Sequence, residues 1–217
     1  MSRLLAGIAA TLAAAAVSPP AHAAFYTLTT TGTVDRGSDT SGLFGTPGGN
    51  LAGRSYALSL SFDTPGSFSY ASATNATTSG SATGSVTVTV GGVSFSTQLV
   101  DSYGSFLELT PNEATASNIG DDPAGNFLSV TNQFTAASGV VPVSFSQPFS
   151  YTGTVADRAG NAGSPVSFSV SGLANASFSA TPGAVSATVP AAVPEPASLG
   201  LLAAGLAGAA LVRRRRS

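Results

Sequence analysis

The chain has 217 residues with no Cys, no Trp and no Lys, and only 8% of it is charged, against 25 Gly and 13 Pro. Without Cys there are no disulfides, thiolate zinc sites or Cys nucleophiles, so an exported fold rests on its core alone. Of eight Arg, four end the chain and Arg3 lies near its start; between residues 24 and 192 three Arg face nine acids, a net charge of about −6 that argues against nucleic acid and anionic lipid surfaces as partners.

Residues 1–23 read as a signal peptide. Arg3 supplies the positive start, residues 4–17 form an apolar run too short to span a bilayer, and Ser18-Pro19-Pro20 breaks it. The small residues Ala21 and Ala23 fit a peptidase site, with the cut after Ala23. His22, the only His, then leaves with the leader.

From residue 24 the pattern has a period of two. Strand signals lie at 25–34, 106–110, 127–134, 140–145, 148–155, 166–173 and 175–180, separated by Gly, Pro, Asn or Asp. Leu43, Phe44 and Leu51, set among glycines, read as a plug that folds a loop onto a sheet. Tyr56, Leu58, Leu60 and Phe62 share one face of a half-buried strand. Val86, Val88 and Val90, then Gly91-Gly92, then Val93, Phe95 and Leu99 read as a hairpin with a two-residue turn and a shared apolar face. Many short strands without a helical period predict an all-β fold, an antiparallel, jelly-roll-like β-sandwich over residues 24–180, flanked by an N-terminal signal helix and a C-terminal transmembrane helix. Residues 181–192, rich in Pro, Ala and Val, read as an extended linker.

The last segment, 193–217, has three parts in order: Val193-Pro194-Glu195-Pro196, an uncharged apolar run over 199–212, and Arg213, Arg214, Arg215 and Arg216. The arginines stop transfer on the cytoplasmic side, which holds the preceding domain outside the inner membrane. The run falls short of about 20 residues, so temporary retention fits better than a lasting anchor. This order resembles the PEP-CTERM sorting signal, a tail also labelled an ice-binding protein C-terminal domain. The resemblance implies an exosortase as partner, an inner-membrane intermediate in a Gram-negative bacterium that makes exopolysaccharide, and a final place at the cell surface or in the extracellular matrix. The stretch from Thr31 to Asp63, with Asp39, Leu43, Phe44 and Leu51, is similar to an opening module of such proteins that carries no assigned catalytic residues.

Elimination narrows the chemistry. After loss of the leader no His, Cys or Lys remains, which removes Ser-His-Asp triads, Cys-His pairs, Schiff bases and the usual zinc sites. Paired carboxylates for glycoside cleavage have their densest supply in Asp101, Glu108, Glu113, Asp121 and Asp122, though large aromatics are scarce there apart from Tyr103. Asp121, Asp122 and Asn126, or Asp35 and Asp39 around Gly37, are calcium candidates on turns, neither with the spacing of a defined calcium loop; Asx residues in turns ordinarily serve local backbone. The reading is therefore a non-catalytic, cofactor-free surface or matrix protein that associates with extracellular polysaccharide. The alternative is a binding module, for sugar through Tyr103 and nearby acids, or for ice through Thr27, Thr29, Thr31 and Thr33 or Thr87 and Thr89.

Overall fold

The computed structural model describes residues 25–63, 68–71, 75–79, 84–137, 139–161 and 165–189. The expected signal segment with Ala21 and Ala23, and the sorting tail from Val193 to the terminal arginines, lie outside them. Among the described residues no helix is long and apolar enough to cross a membrane.

Alternation decides most strands. β1 (Phe25–Asp39) and β3 (Ser55–Asp63) pair antiparallel and turn Tyr26, Leu28, Tyr56, Leu58, Leu60 and Phe62 inward, all buried. β6 (Ser85–Val90) and β7 (Val93–Gln98) form the expected hairpin, with Gly91 and Gly92 at φ 58° and 89°, the left-handed geometry such a turn demands. Val86, Val88 and Val90 are buried, but Val93 is 42% exposed and Phe95 is half-buried, because β7 ends the sheet and has a hydrogen-bonded neighbour on one side only. The loop plug is present: Phe44 and Leu51 are fully buried, and Asp39 holds the loop by accepting the Leu43 and Phe44 amides at 2.7 Å each.

The remaining strands are β2 (Gly49–Asn50), β4 (Phe68–Ala71), β5 (Ala76–Ser79), β8 (Asp101–Thr110), β9 (Glu113–Asp121), β10 (Phe127–Thr135), β11 (Phe149–Thr152), β12 (Val166–Ser171) and β13 (Ala176–Thr188). The antiparallel all-β expectation holds, but a two-sheet, jelly-roll-like sandwich is not what forms. Among the described residues, all thirteen strands belong to one curled sheet, ordered β4-β5-β8-β9-β10-β12-β13-β1-β3-β6-β7, with β2 on β1 and β11 on β13. Curling brings the two arms face to face. Asn132 of β10, fully buried, donates across the interior to the carbonyls of Leu58 (3.1 Å) and Leu28 (3.4 Å). Long central strands with bulges twist strongly, so one sheet can cover both sides of one core.

Four further corrections follow. The linker expected over 181–192 is strand as far as Thr188: Val185 and Ala187 are buried, and Pro182, lacking an amide donor, is tolerated beside the bulge where the register shifts between Thr31 and Gly32. The segment 140–145 is not a strand; Pro142 interrupts it, Val141 donates to the Pro111 carbonyl at 3.1 Å, and Phe145 meets Tyr26 edge-on at 5.6 Å. Strand 148–155 stops at Thr152, and a six-residue helix, α1 (Val155–Gly160), follows with a capping box between Thr154 and Asp157. β9 was absent from the expected strands because its inward residues are Ala114, Ala116 and Asn118, too small or too polar to signal a core position.

Candidate functional site

The inward side chains of β8 are Ser105, Leu107 and Leu109, so strict alternation would turn Tyr103 inward as well. Instead the pairing with β9 steps from Ser102 opposite Gly120 to Gly104 opposite Ile119, which leaves Tyr103 as the extra residue of a β-bulge. The bulge reverses its direction, and Tyr103 stands 67% exposed on the outer face. Its ring stacks on Phe127 of β10, with centroids 6.2 Å apart and planes at 29°, and its hydroxyl donates to Asp121 Oδ2 at 2.5 Å. Phe127 lies directly opposite Asp121 in the β9–β10 register and is 42% exposed. Three neighbouring strands thus present two open rings beside a carboxylate. Such a platform suits a ligand with an apolar face and peripheral hydroxyls, which is the description of a sugar ring.

Of the other acids, Glu108 and Glu113 do not converge on this platform. Glu108 Oε1 accepts from Asn75 Nδ2 at 2.5 Å, and Glu113 Oε1 accepts from Thr115 Oγ1 at 2.6 Å and Gln133 Nε2 at 2.7 Å, near the opposite end of the β8–β9 hairpin. Asp101 faces Asp121 in the backbone register. Of the calcium candidates, Asp122 and Asn126 come together but bond to each other and to the backbone, and Asp121 turns away from them. Asp122 Oδ1 accepts the amides of Ala124 (2.9 Å) and Asn126 (2.8 Å), Oδ2 accepts Asn126 Nδ2 at 2.9 Å, and Asn126 Oδ1 accepts the Ala174 amide at 2.9 Å. Burial acts to raise the Asp122 pKa, but the hydrogen bonds from Asn126, Ala124 and Gly125 outweigh it and hold the carboxyl below its ordinary range. Their oxygens serve the turn that leads into Phe127, while Asp121 points to Tyr103. Among the described residues no group of three or more His, Cys, Asp or Glu is placed to hold a metal ion.

Of the threonine rows, Thr27, Thr29, Thr87 and Thr89 are parts of one surface, whereas Thr31 lies opposite Ala57 and Thr33 opposite Ser55. Thr27 and Thr29 pair with Ser61 and Ser59 through hydroxyl bonds of 2.8 Å, and Thr87 and Thr89 pair with Ser96 and Ser94 at the same distance. Because Ser59 also lies opposite Thr87, hydroxyls run in register across β1, β3, β6 and β7 on the outer face.

The sequence pointed to Tyr103 and Asp121 but missed Phe127 and the bulge that turns Tyr103 outward. The Ser102-Tyr103-Gly104 stretch, where a large aromatic stands next to Gly at the head of the strand, is a signal for the bulge alone. No curated protein and no solved structure matches the chain. Residues 192–216 match the family model of the PEP-CTERM protein-sorting motif, which includes Val193, Pro194, Glu195, Pro196 and the terminal arginines. The chain therefore carries a PEP-CTERM sorting tail, the mark of an exported protein targeted to an exosortase through a membrane-anchored intermediate in Gram-negative bacteria.

Proposed function

We propose that the β domain is the non-catalytic working part of a surface or matrix protein and holds extracellular polysaccharide on the Tyr103–Phe127–Asp121 platform. The observation that carries this reading is the bulge. A regular strand would bury Tyr103, whereas the extra residue sets a large aromatic in solvent against a second exposed ring and a carboxylate. Exposed stacked aromatics cost solubility and contribute little to a monomer, so a partner explains them better than packing does. Tail processing delivers the domain: the exosortase reads Val193 to Pro196, residues 199–212 hold the substrate in the membrane plane, and Arg213 to Arg216 stop transfer.

Two measurements test this. On a glycan array, residues 24–192 should retain polysaccharide without releasing fragments, and Tyr103→Ala should weaken retention; turnover abolished by Glu108→Gln or Asp122→Asn would replace the reading with a glycosidase. Mass spectrometry of surface protein from an exosortase-bearing host should find a carboxy terminus near Glu195 and no peptide from Leu199 onward. Recovery of intact Arg213 to Ser217 ends on most molecules would leave a permanently tethered protein instead. One observation favours a second reading, ice binding: the in-register hydroxyl rows that join Thr27 and Thr29 to Thr87 and Thr89. Inhibition of ice recrystallisation that disappears on Thr29→Leu with Thr87→Leu would establish it.

A further inference from the structure

The outer face that carries the platform holds, several strands away, another feature made by a bulge. In β1 the pairing with β13 steps from Val34 opposite Ala180 to Arg36 opposite Ser179, leaving Asp35 as the extra residue. The parity of the strand changes there. Val34 faces inward before the bulge, Asp39 is buried after it, and Arg36 and Ser38 emerge on the outer face. Without the extra residue the Arg36 side chain would be directed at the core.

Arg36 Nε donates to Ser179 Oγ at 3.0 Å, which lays the side chain along β13. Among the described residues it makes no ion pair. Next to it, Ser38, Ser167, Ser169, Ser177 and Ser179 line an open depression of about 470 Å³ over the backbone of Gly37, Phe168 and Phe178. The floor is rigid, since Phe168 and Phe178 stack beneath it with centroids 5.6 Å apart at 26°. Gly37 permits the close approach of β1: a Cβ there would come within 2.6 Å of Phe178 Cβ.

β8, β9, β10, β12, β13 and β1 are successive neighbours in the sheet. Tyr103 and Arg36 therefore stand on strands five spacings apart, about 24 Å measured along the sheet across its strands. Beyond Ile119 of β9 the ground between them is uncharged hydroxyl: Ser129 lies opposite Ser169, and Ser169 opposite Ser177. An aromatic at one end, neutral hydroxyls along the way and one guanidinium at the other end describe a track rather than a single pocket.

We propose that Arg36 and the surrounding serines form a subsite for a carboxylate on a linear polysaccharide whose neutral sugars occupy the platform and the serine track. This rests on the reading of Tyr103 and Phe127 as a saccharide platform. A guanidinium matches a carboxylate through its planar fork, and hydroxyls on a flat floor donate to or accept from the sugar around it. Charge decides how dense the carboxylates are. With three Arg against nine acids over residues 24–192, the domain repels a continuous polyanion, and one cation neutralises one acidic sugar at a time. The ligand is a polysaccharide in which isolated uronates are separated by neutral residues.

The test measures binding of the full chain, in mild detergent and sodium buffer, to deacylated gellan, in which glucuronates are separated by neutral sugars, to its carboxyl-reduced form and to polygalacturonate. Gellan should bind roughly tenfold more tightly than its carboxyl-reduced form, and more tightly than polygalacturonate. Arg36→Gln should abolish that preference while keeping affinity for the reduced polymer, whereas Tyr103→Ala should weaken both. The terminal arginines are common to all variants, so the Arg36→Gln difference isolates the subsite. Equal binding of gellan and its reduced form, or an Arg36→Gln variant that keeps the preference, overturns the carboxylate subsite and leaves the platform standing. Binding to none of the polymers overturns the platform, and the subsite with it.

Discussion

Two hairpins of the same sheet are put to different uses. β6–β7 alternates without a fault, closes on Gly91-Gly92 and sinks Val86, Val88 and Val90 into the core. β8–β9 breaks step once, at Tyr103, and that fault places an aromatic where the core cannot take it. The regular hairpin stabilises; the irregular one exposes chemistry at little cost, because the pairing from Ser105 to Thr110 remains intact on one side of the bulge. The same division runs within β1, where the regular amino-terminal half pairs Thr27 and Thr29 with serines and the bulge at Asp35 turns Arg36 outward. In this fold register faults, rather than loops, place the distinctive side chains on the surface.

The largest expected effect falls on the regular hairpin. Replacing Gly91 and Gly92 with Val forces β-branched residues to φ 58° and 89°, and should lower the unfolding free energy by about 2–4 kcal/mol in denaturant titration. Unchanged stability would show that the turn is not fixed as described. A second variant probes the far end of β10, the strand that carries Phe127. The Asp157 carboxylate accepts from the Ala137 amide (2.6 Å), the Tyr151 hydroxyl and the Thr154 amide and hydroxyl (2.7 Å each). The Ala137 amide, then the Thr154 hydroxyl and the others, hold its pKa well below the ordinary range. The folded pKa lies below the unfolded one, so this stabilisation is complete above about pH 4 and is lost as pH falls towards the folded value. Asp157→Asn should therefore lower Tm at neutral pH, with the gap to the parent narrowing on acidification. A gap constant with pH would show that the carboxylate is not the stabilising group.

Smaller effects belong to the irregular hairpin. Tyr103→Ala should change stability by less than about 0.5 kcal/mol, since the ring is outside the core, yet weaken saccharide binding about fivefold. Loss of stability without loss of binding would make the platform a packing feature. Asp121→Asn keeps an acceptor for the Tyr103 hydroxyl and should weaken binding less than Tyr103→Ala does, measured with the same polymer.

How far the sequence reveals this follows from the same contrast. Where alternation is strict and the inward residues are large, as in Tyr56 to Phe62 or Val86 to Val90, strand, face and turn are all readable. Phe44 and Leu51 were readable as a plug because they are apolar amid glycines. β9 was not, because Ala114, Ala116 and Asn118 carry no hydrophobic signal although they are fully buried. β13 beyond Ala180 was hidden by Pro182, and α1 is too short to show a helical period. Curling into one sheet depends on long-range register, which no local pattern encodes. Tyr103 was singled out as the only large aromatic near the acids, but its exposure depends on one skipped pairing opposite Gly120 and Ile119.

The most direct test is a titration followed by NMR, with a polysaccharide added to residues 24–192 carrying labelled Tyr, Phe and Thr. The ring signals of Tyr103 and Phe127 should shift in proportion to bound ligand, while the methyls of Thr29, Thr87 and Thr89 and the ring of buried Tyr26 stay in place. Shifts confined to Thr29, Thr87 and Thr89, with Tyr103 and Phe127 unmoved, would contradict the account and transfer the binding surface to the regular hairpin.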